Sequence, residues 1–301
     1  MIAIVIPYYK KKFFKRTLES LANQTDKRFN VYIGDDASSD NPKDLIMEYA
    51  NRINLKYKRF ENNLGGTSLV RQWDRCIELS ADEKWIMILG DDDYLDPNVV
   101  ESFYKHMTVF LSKTNVVRFA KQNIFDDQNA IAEIQYNPEW ETAADSYYRR
   151  VTGQTTSTLS EYMFTRSVYK KHGFYDYPLA WQSDNRAWIE FSEDKPIYSI
   201  NDAVVKVIRS AESITGSNKY KDEKRKANLS FYKYLIKEKL NIFNKTQSIR
   251  VLHKYENEIK LKREIKFTEY LFLFPYYLKN YDSRSFKNYS KKIAKSILNI
   301  I

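Results

Sequence analysis

Trp85 to Leu95 reads WIMILGDDDYL. Four apolar residues, Ile86 to Leu89, run into Gly90 and then into three consecutive aspartates, Asp91, Asp92 and Asp93. An apolar run this short, bounded by glycine, reads as a buried strand of a parallel sheet. Open α/β sheets gather their ligands outside the carboxyl ends of the strands, which is where these carboxylates fall. Three adjacent carboxylates repel one another unless a cation neutralises them, and hard oxygen ligands suit Mg2+ or Mn2+. Magnesium held by one or two carboxylates completes its shell with phosphate oxygens and water. The competing reading is a solvated acidic turn that leads, through Asp96-Pro97, into a helix.

The stretches before it repeat the theme. Ile2 to Ile6 is an apolar strand stopped by Pro7, with Tyr8 and Tyr9 at its carboxyl end. Val31-Tyr32-Ile33 is a second strand and also ends in acids, Gly34-Asp35-Asp36. Leu55-Lys56-Tyr57 is a weaker third. Phe13, Leu18 and Leu21 mark one helix, Leu45 to Tyr49 after Pro42 another. A third helix through Leu69, Val70, Trp73 and Ile77 follows the glycine turn Asn62-Asn63-Leu64-Gly65-Gly66. Strands alternating with helices predict βαβ units and a mostly parallel, Rossmann-like α/β sheet flanked by helices. If the strands run parallel, their polar ends meet on one edge and form one site.

Beyond the acidic triplet the pattern predicts a helix from Asn98 to Phe110 and a strand from Val116 to Ala120. It leaves 123–139 unassigned. A strand at Tyr162-Met163-Phe164, a short helix from Val168 to His172 and a helical stretch holding Trp181, Asp184, Trp188 and Phe191 come next. Ile197 to Ile200 and Ala203 to Ile208 read as two further strands.

The chain has 301 residues and seven glycines. No G-x-G-x-x-G follows the first strand and no G-x-x-x-x-G-K-[ST] occurs, which argues against a dehydrogenase or a P-loop enzyme. The single cysteine, Cys76, rules out an intramolecular disulfide and a cysteine zinc site and fits a cytoplasmic setting. No leader segment and no apolar run of membrane-spanning length is expected. The net charge of +10 is uneven: residues 217–301 hold 21 Lys/Arg against 8 Asp/Glu, and residues 1–216 hold 28 against 31. The expected organisation is a catalytic domain over 1–216 and a basic helical extension over 217–301. In that extension Phe286, Tyr289, Ile293, Ile297 and Ile300 recur at helical spacing among Lys287, Lys291, Lys292 and Lys295. Such a basic amphipathic helix suits an anionic membrane surface on the inner face of the cell membrane, or else packs on the body or on a second copy. No nucleic-acid-binding motif accompanies the charge.

Taken together, IAIVIPYYK, VYIGDDASSDNP, NNLGGTSLVRQW, IMILGDDDYLDP and, more loosely, WQSDNRAW resemble a family 2 glycosyltransferase of the GT-A fold. The resemblance runs from Ile2 to about Arg209. It implies an inverting glycosyltransferase that uses a nucleotide sugar, expected to be a UDP-sugar, and Mn2+ or Mg2+. It places Pro7 and Tyr9 near the base, and Asp35 and Asp36 on base and ribose, with Asp36 toward the ring nitrogen. The turn to Gly66, with Arg71 beyond, closes over the nucleoside and its diphosphate. Asp92 is implied as the main metal ligand and Asp93 as its support. Gly90 stands where the family usually has its leading acid, which leaves Asp91 as a substitute ribose contact. Asp184 is implied as the catalytic base, although the family's usual Glu-Asp reads Ser183-Asp184 here. Trp181 and Trp188 either stack on sugar rings or belong to the core. No histidine falls in the loop after Val207 where the family often supplies one; Arg209 stands there as a candidate diphosphate contact.

The chemistry needs these residue types. Negative charge builds on the departing diphosphate, and a divalent cation stabilises it. A carboxylate within reach takes the proton of the attacking acceptor hydroxyl. A saccharide or lipid-linked saccharide acceptor, in bacterial surface polysaccharide synthesis, fits a basic extension at a membrane surface. Two other readings stand beside this one: nucleotidyl transfer, which lacks its usual glycine-rich basic first turn here, and a non-catalytic nucleotide-sugar-binding or membrane-associated scaffold.

Overall fold

The apolar runs become strands because both faces of the sheet are covered. All of β1, Ile2–Tyr8, is buried except Pro7. The structure is a computed structural model that describes residues 1–210, 214, 219–281 and 283–298; of residues 284 and 295–298 only the backbone is described. After β1 come α1 (Phe14–Ala22), β2 (Phe29–Asp35), α2 (Lys43–Tyr49), β3 (Leu55–Arg59), α3 (Leu69–Ile77) and β4 (Trp85–Ile88). They are followed by β5 (Tyr94–Leu95), α4 (Val99–Phe110), β6 (Val116–Phe125), β7 (Ala130–Ile131), β8 (Trp140–Glu141) and α5 (Ala143–Val151). Then come β9 (Tyr162–Thr165), α6 (Arg166–His172), α7 (Ser183–Ser192) and β10 (Ile197–Arg209).

The strands form one sheet in the order β3-β2-β1-β4-β9-β6-β10-β5, with β7 on β6 and β8 on β10. The first half, β3 to β4, is parallel throughout, as the βαβ reading requires. The second half adds antiparallel pairings to a sheet that remains mostly parallel. β9 runs antiparallel to both β4 and β6, while β10 is parallel to β6. A strand that enters from the opposite edge needs no helical crossover. Its start therefore lies at the carboxyl ends of its neighbours, so the residues before Tyr162 join the same edge as Gly90. Arg209, at the end of β10, lies on that edge too.

Two expected strands prove to be one. β10 runs from Ile197 to Arg209 with a register shift between Ile200 and Val204, where Asn201 and Asp202 turn outward. The unassigned stretch 123–139 begins inside β6, which continues to Phe125.

The chain divides into two compact units, Met1–Tyr220 and Lys221–Ile301. The second holds α8 (Lys221–Tyr234), α9 (Lys245–Lys260), α10 (Phe267–Asn280) and α11 (Ser283–Leu298). α9 opens with a reciprocal cap between Asn244 and Gln247. α10 continues through Pro275. The amphipathic face of α11 is partly spent inside this unit. Tyr289 is 2% exposed and donates to the Tyr270 carbonyl at 2.9 Å, and the Phe286 ring lies 5.3 Å from that of Phe274. Among the described residues the large apolar side chains left exposed in this unit are Ile242, Leu261, Leu271 and Leu278. Ile300 and the side chains of Lys295 and Ile297 fall outside the description. Among the described residues no helix is long and apolar enough to cross a membrane.

Candidate active site

At the end of β2 the two carboxylates are held by the protein itself. Asp35 is fully buried. Its Oδ1 accepts from the Ser38 amide at 2.9 Å, and its Oδ2 from the Tyr57 hydroxyl at 2.7 Å and Arg59 Nη1 at 2.9 Å. Burial, then that hydrogen bond, pushes the Tyr57 phenol up to about 12. Asp36 closes the glycine turn: Oδ1 accepts from the Leu64 amide at 2.7 Å and from Arg75, and Oδ2 from the Gly65 amide at 2.9 Å. A Cβ on Gly65 would sit 2.6 Å from Asp36 Oδ2, so only glycine permits this approach. Asp36, expected on the base, thus has both oxygens engaged by the turn that is to cover the nucleoside. Arg71 remains exposed, 4.0 Å from Asp176. Pro7 sits in register with Gly34 at the strand ends, and Tyr9 is 45% exposed beside them.

The triplet after β4 is different. Asp91 Oδ2 accepts from the Tyr9 and Lys10 amides, both at 2.7 Å, and so fixes the loop after β1. Asp93 Oδ1 accepts from the Ile208 amide at 2.9 Å, and its Oδ2 from Ser160 Oγ at 2.5 Å. Ser160 Oγ in turn accepts from the Gly90 amide at 3.1 Å. For the Asp92 carboxylate no hydrogen bond to another residue is described. Burial raises all three carboxyls. It takes Asp91 to about 7, helped by the charge of Asp92, and Asp93 well above the ordinary range by the same two causes. Asp92 is raised by burial and pulled back by Lys10 and Arg209. A Cβ on Gly90 would sit 2.8 Å from Asp92 Oδ1 and 3.0 Å from Asp93 Oδ2. The residue that departs from the family pattern is therefore the one whose missing side chain lets these carboxylates fold back together.

Among the described residues no three His, Cys, Asp or Glu side chains converge as a metal cage. Two crowded carboxylates with raised pKa values, Asp93 buried and Asp92 half-buried, are the donor set on which Mg2+ depends when phosphate and water supply the rest. The residues fit such an ion.

Asp184 opens α7. The turn before it is strained: Leu179, Ala180 and Gln182 all have positive φ, between 51° and 78°. Non-glycine residues rarely adopt this region, and such strain clusters at functional sites. Asp184 Oδ1 accepts from Asn185 Nδ2 at 2.8 Å. Burial raises the carboxyl, the charge of Arg150 lowers it, and Glu161 raises it further. Lys121, on β6, feels Glu161, Arg209 and Arg150, and Arg209 in turn acts on Asp92 and Asp93. A continuous run of charges thus joins the acidic triplet to Asp184.

Several members of that run escape sequence reading. Ser160 and Glu161 precede β9 with no motif around them. Arg118 and Lys121 leave a trace, since two cations in the buried strand VVRFAKQNIF need partners. Of the two tryptophans, Trp188 belongs to the core: it is 4% exposed and stacks on Tyr162 at 4.1 Å. Trp181 is partly exposed just before α7. His106 pairs with Tyr198 and Asp202, and His172, at the end of α6, with Glu193, so neither reaches the triplet.

A family model described as Glycosyl transferase family 2 matches residues 3–174. The chain belongs to that family. Its α/β sheet is that of the GT-A fold. The poly(ribitol-phosphate) beta-N-acetylglucosaminyltransferase TarS of Staphylococcus aureus strain Mu50 is 28% identical over 102 residues, 33% of this chain and 17% of TarS. The uncharacterized glycosyltransferase RP339 of Rickettsia prowazekii is 21% identical over 244 residues, 80% of this chain and 74% of that one. The crystal structure of S. aureus TarS 1–349 in complex with UDP-GlcNAc superposes with a TM-score of 0.65 at 15% identity, covering 86% of this chain and 71% of that one. The segment that aligns in sequence spans less than a fifth of the length of TarS.

Proposed function

We propose that this glycosyltransferase is metal-dependent and inverting, and that it moves a sugar from a UDP-sugar to a saccharide, polyol-phosphate or lipid-linked acceptor of bacterial surface polysaccharide synthesis. The observation that carries the reading is the Asp92 carboxylate: half-buried, raised, beside Asp93, and held by no other residue among the described contacts. The TarS structures, solved with UDP and with UDP-GlcNAc, support the choice of UDP.

Asp92 would hold Mg2+ or Mn2+, with Asp93 oriented behind it by Ser160 and the Ile208 amide. The ion would supply Lewis-acid stabilisation of the departing diphosphate. Arg209 adds fixed positive charge to the same edge. Asp91 shapes the nucleoside pocket by holding the Tyr9–Lys10 backbone, and Asp36 does so by holding the Leu64–Gly65 turn. Asp184 takes the acceptor proton as the new C–O bond forms on the sugar face opposite the diphosphate, so the anomeric configuration inverts. Burial strengthens it as a base, while Arg150 keeps it ionised.

A thermal-shift panel of UDP, GDP, CDP and dTDP, each with and without Mn2+, tests the donor site. The expected result is a Mn2+-dependent rise in Tm with UDP. A rise equally large without metal would remove the metal from the reading, and no rise with any nucleotide would remove the donor site.

A further inference from the structure

A second polar centre lies beside Asp184, and the roles above leave it unused. It is a cavity of about 20 Å3 bounded by β6, α5, α7 and the loop before β9. That volume admits roughly one water or one ligand oxygen. Arg118, on its wall, is 2% exposed and consumed: Nε donates to Ser199 Oγ at 3.0 Å, Nη1 to Ser146 Oγ at 2.6 Å, and Nη2 to Glu141. Lys121, also 2% exposed, donates to Thr156 Oγ1 at 2.7 Å and lies 3.5 Å from Glu161 Oε1. The acceptor oxygens of Glu161 are in turn met by the Thr158 amide at 2.7 Å and the Thr158 hydroxyl.

Two wall residues are left over, and both can only donate. Trp188 is 4% exposed, and its indole N–H has no partner. Arg150 has no hydrogen bond or ion pair among the described contacts of its side chain. Arg118 is neutralised by Glu141 and Lys121 by Glu161. Arg149 shares Glu141 with Arg118, and Arg150 acts on Asp184 and Lys121, so four cations (Arg118, Arg149, Lys121, Arg150) meet three carboxylates (Glu141, Glu161, Asp184) and one positive charge is in excess. The buried Trp188 donor calls for an acceptor atom, and a partly exposed guanidinium with no described hydrogen bond, in a centre with one positive charge in excess, calls for a negative one.

We propose that Arg150, backed by Lys121 and the Trp188 N–H, forms an acceptor subsite for an oxyanion, a phosphate or a carboxylate, carried next to the hydroxyl that Asp184 deprotonates. The proposal rests on the glycosyltransferase reading above and narrows its acceptor to an anionic one. The cavity receives one oxygen of the anion, and the rest of the group stays at the mouth, where Thr156 is exposed and Ser157 partly so.

The test uses the full chain saturated with UDP and Mg2+, which fills the donor's own phosphate site. Inorganic phosphate and glucuronate are then titrated against wild type, Arg150→Gln and Arg150→Lys, with Tm as the readout. Wild type should be stabilised by at least one of them, and which one names the acceptor's anion. Arg150→Gln should lose about tenfold or more in apparent affinity, with Arg150→Lys recovering part of it. An unchanged response to UDP and Mg2+ in both variants shows that they fold. Equal anion responses in wild type and Arg150→Gln overturn the subsite, as does no response in wild type. A wild-type protein that answers to phosphate but not to UDP and Mg2+ brings down the donor reading and with it the acceptor assignment, leaving a bare anion site at Arg150.

Discussion

Two strand ends in this molecule are nearly the same sentence. VYIGDD closes β2 and IMILGDDD closes β4, each an apolar run, a glycine and consecutive acids. Their physical states are opposite. Asp35 and Asp36 accept six hydrogen bonds from Ser38, Tyr57, Arg59, Leu64, Gly65 and Arg75. The β4 acids have fewer donors, mutual repulsion and raised pKa values. The same motif is a finished joint in one place and an unfinished charge cluster in the other. What differs is the surroundings: β2 lies beside β3, whose Tyr57 and Arg59 face Asp35, whereas β4 faces β9 and the hydroxyl of Ser160.

That contrast can be broken by substitution. Asp92→Asn should lower the rate of metal-dependent UDP-sugar turnover on the order of a thousandfold, the worth of several kcal/mol of charge stabilisation. It should leave the ligand-free Tm unchanged or raise it, because a repelling charge is gone. Turnover within tenfold of wild type would make β4 a joint like β2. Asp36→Asn should do the reverse and lower stability by about 1–3 kcal/mol, since a buried acceptor of three donors is replaced by a weaker one. The denaturant midpoint at constant m reads this, and an unchanged midpoint would show that the glycine turn holds itself. Gly90→Ala should act more gently, weakening Mg2+ binding by about tenfold as the Asp92 and Asp93 carboxylates yield to the new methyl. A titration of the UDP-induced Tm shift against Mg2+ would measure it, and an unshifted titration would separate the two carboxylates from their present arrangement.

The parallel half of the sheet was legible because three of its four strands carry their own punctuation: Pro7 near the end of β1, Gly34 before Asp35, Gly90 before Asp91. Local apolar period is enough to find such elements. The other half was not, since its evidence is not local. Whether Asn201 and Asp202 separate two strands or interrupt one depends on β6 being available to pair on both sides of them. The antiparallel entry of β9 cannot be read from YMFT. For the site, the type of residue could be read but not its engagement. Asp36 and Asp92 look alike in sequence, and only the positions of Arg75 and the Leu64–Gly65 amides tell them apart. Arg150 gave no signal, because basic residues such as Arg149-Arg150 in the last turn of a helix are ordinary; it is distinguished by having no described hydrogen bond.

The Asp93 carboxylate accepts from a backbone amide 115 residues further along the chain. A contact of such separation sets the order of assembly. A nascent chain that has emerged as far as α7 can already pair β1, β2, β3 and β4, yet it holds Asp93 without the strand that receives it. The edge that carries the acidic triplet is therefore among the last parts of the first unit to form, after the joint between Asp36 and the Leu64–Gly65 turn, whose contacts are closer in sequence. Until β10 docks, the chain carries a complete fold signature and no complete catalytic centre.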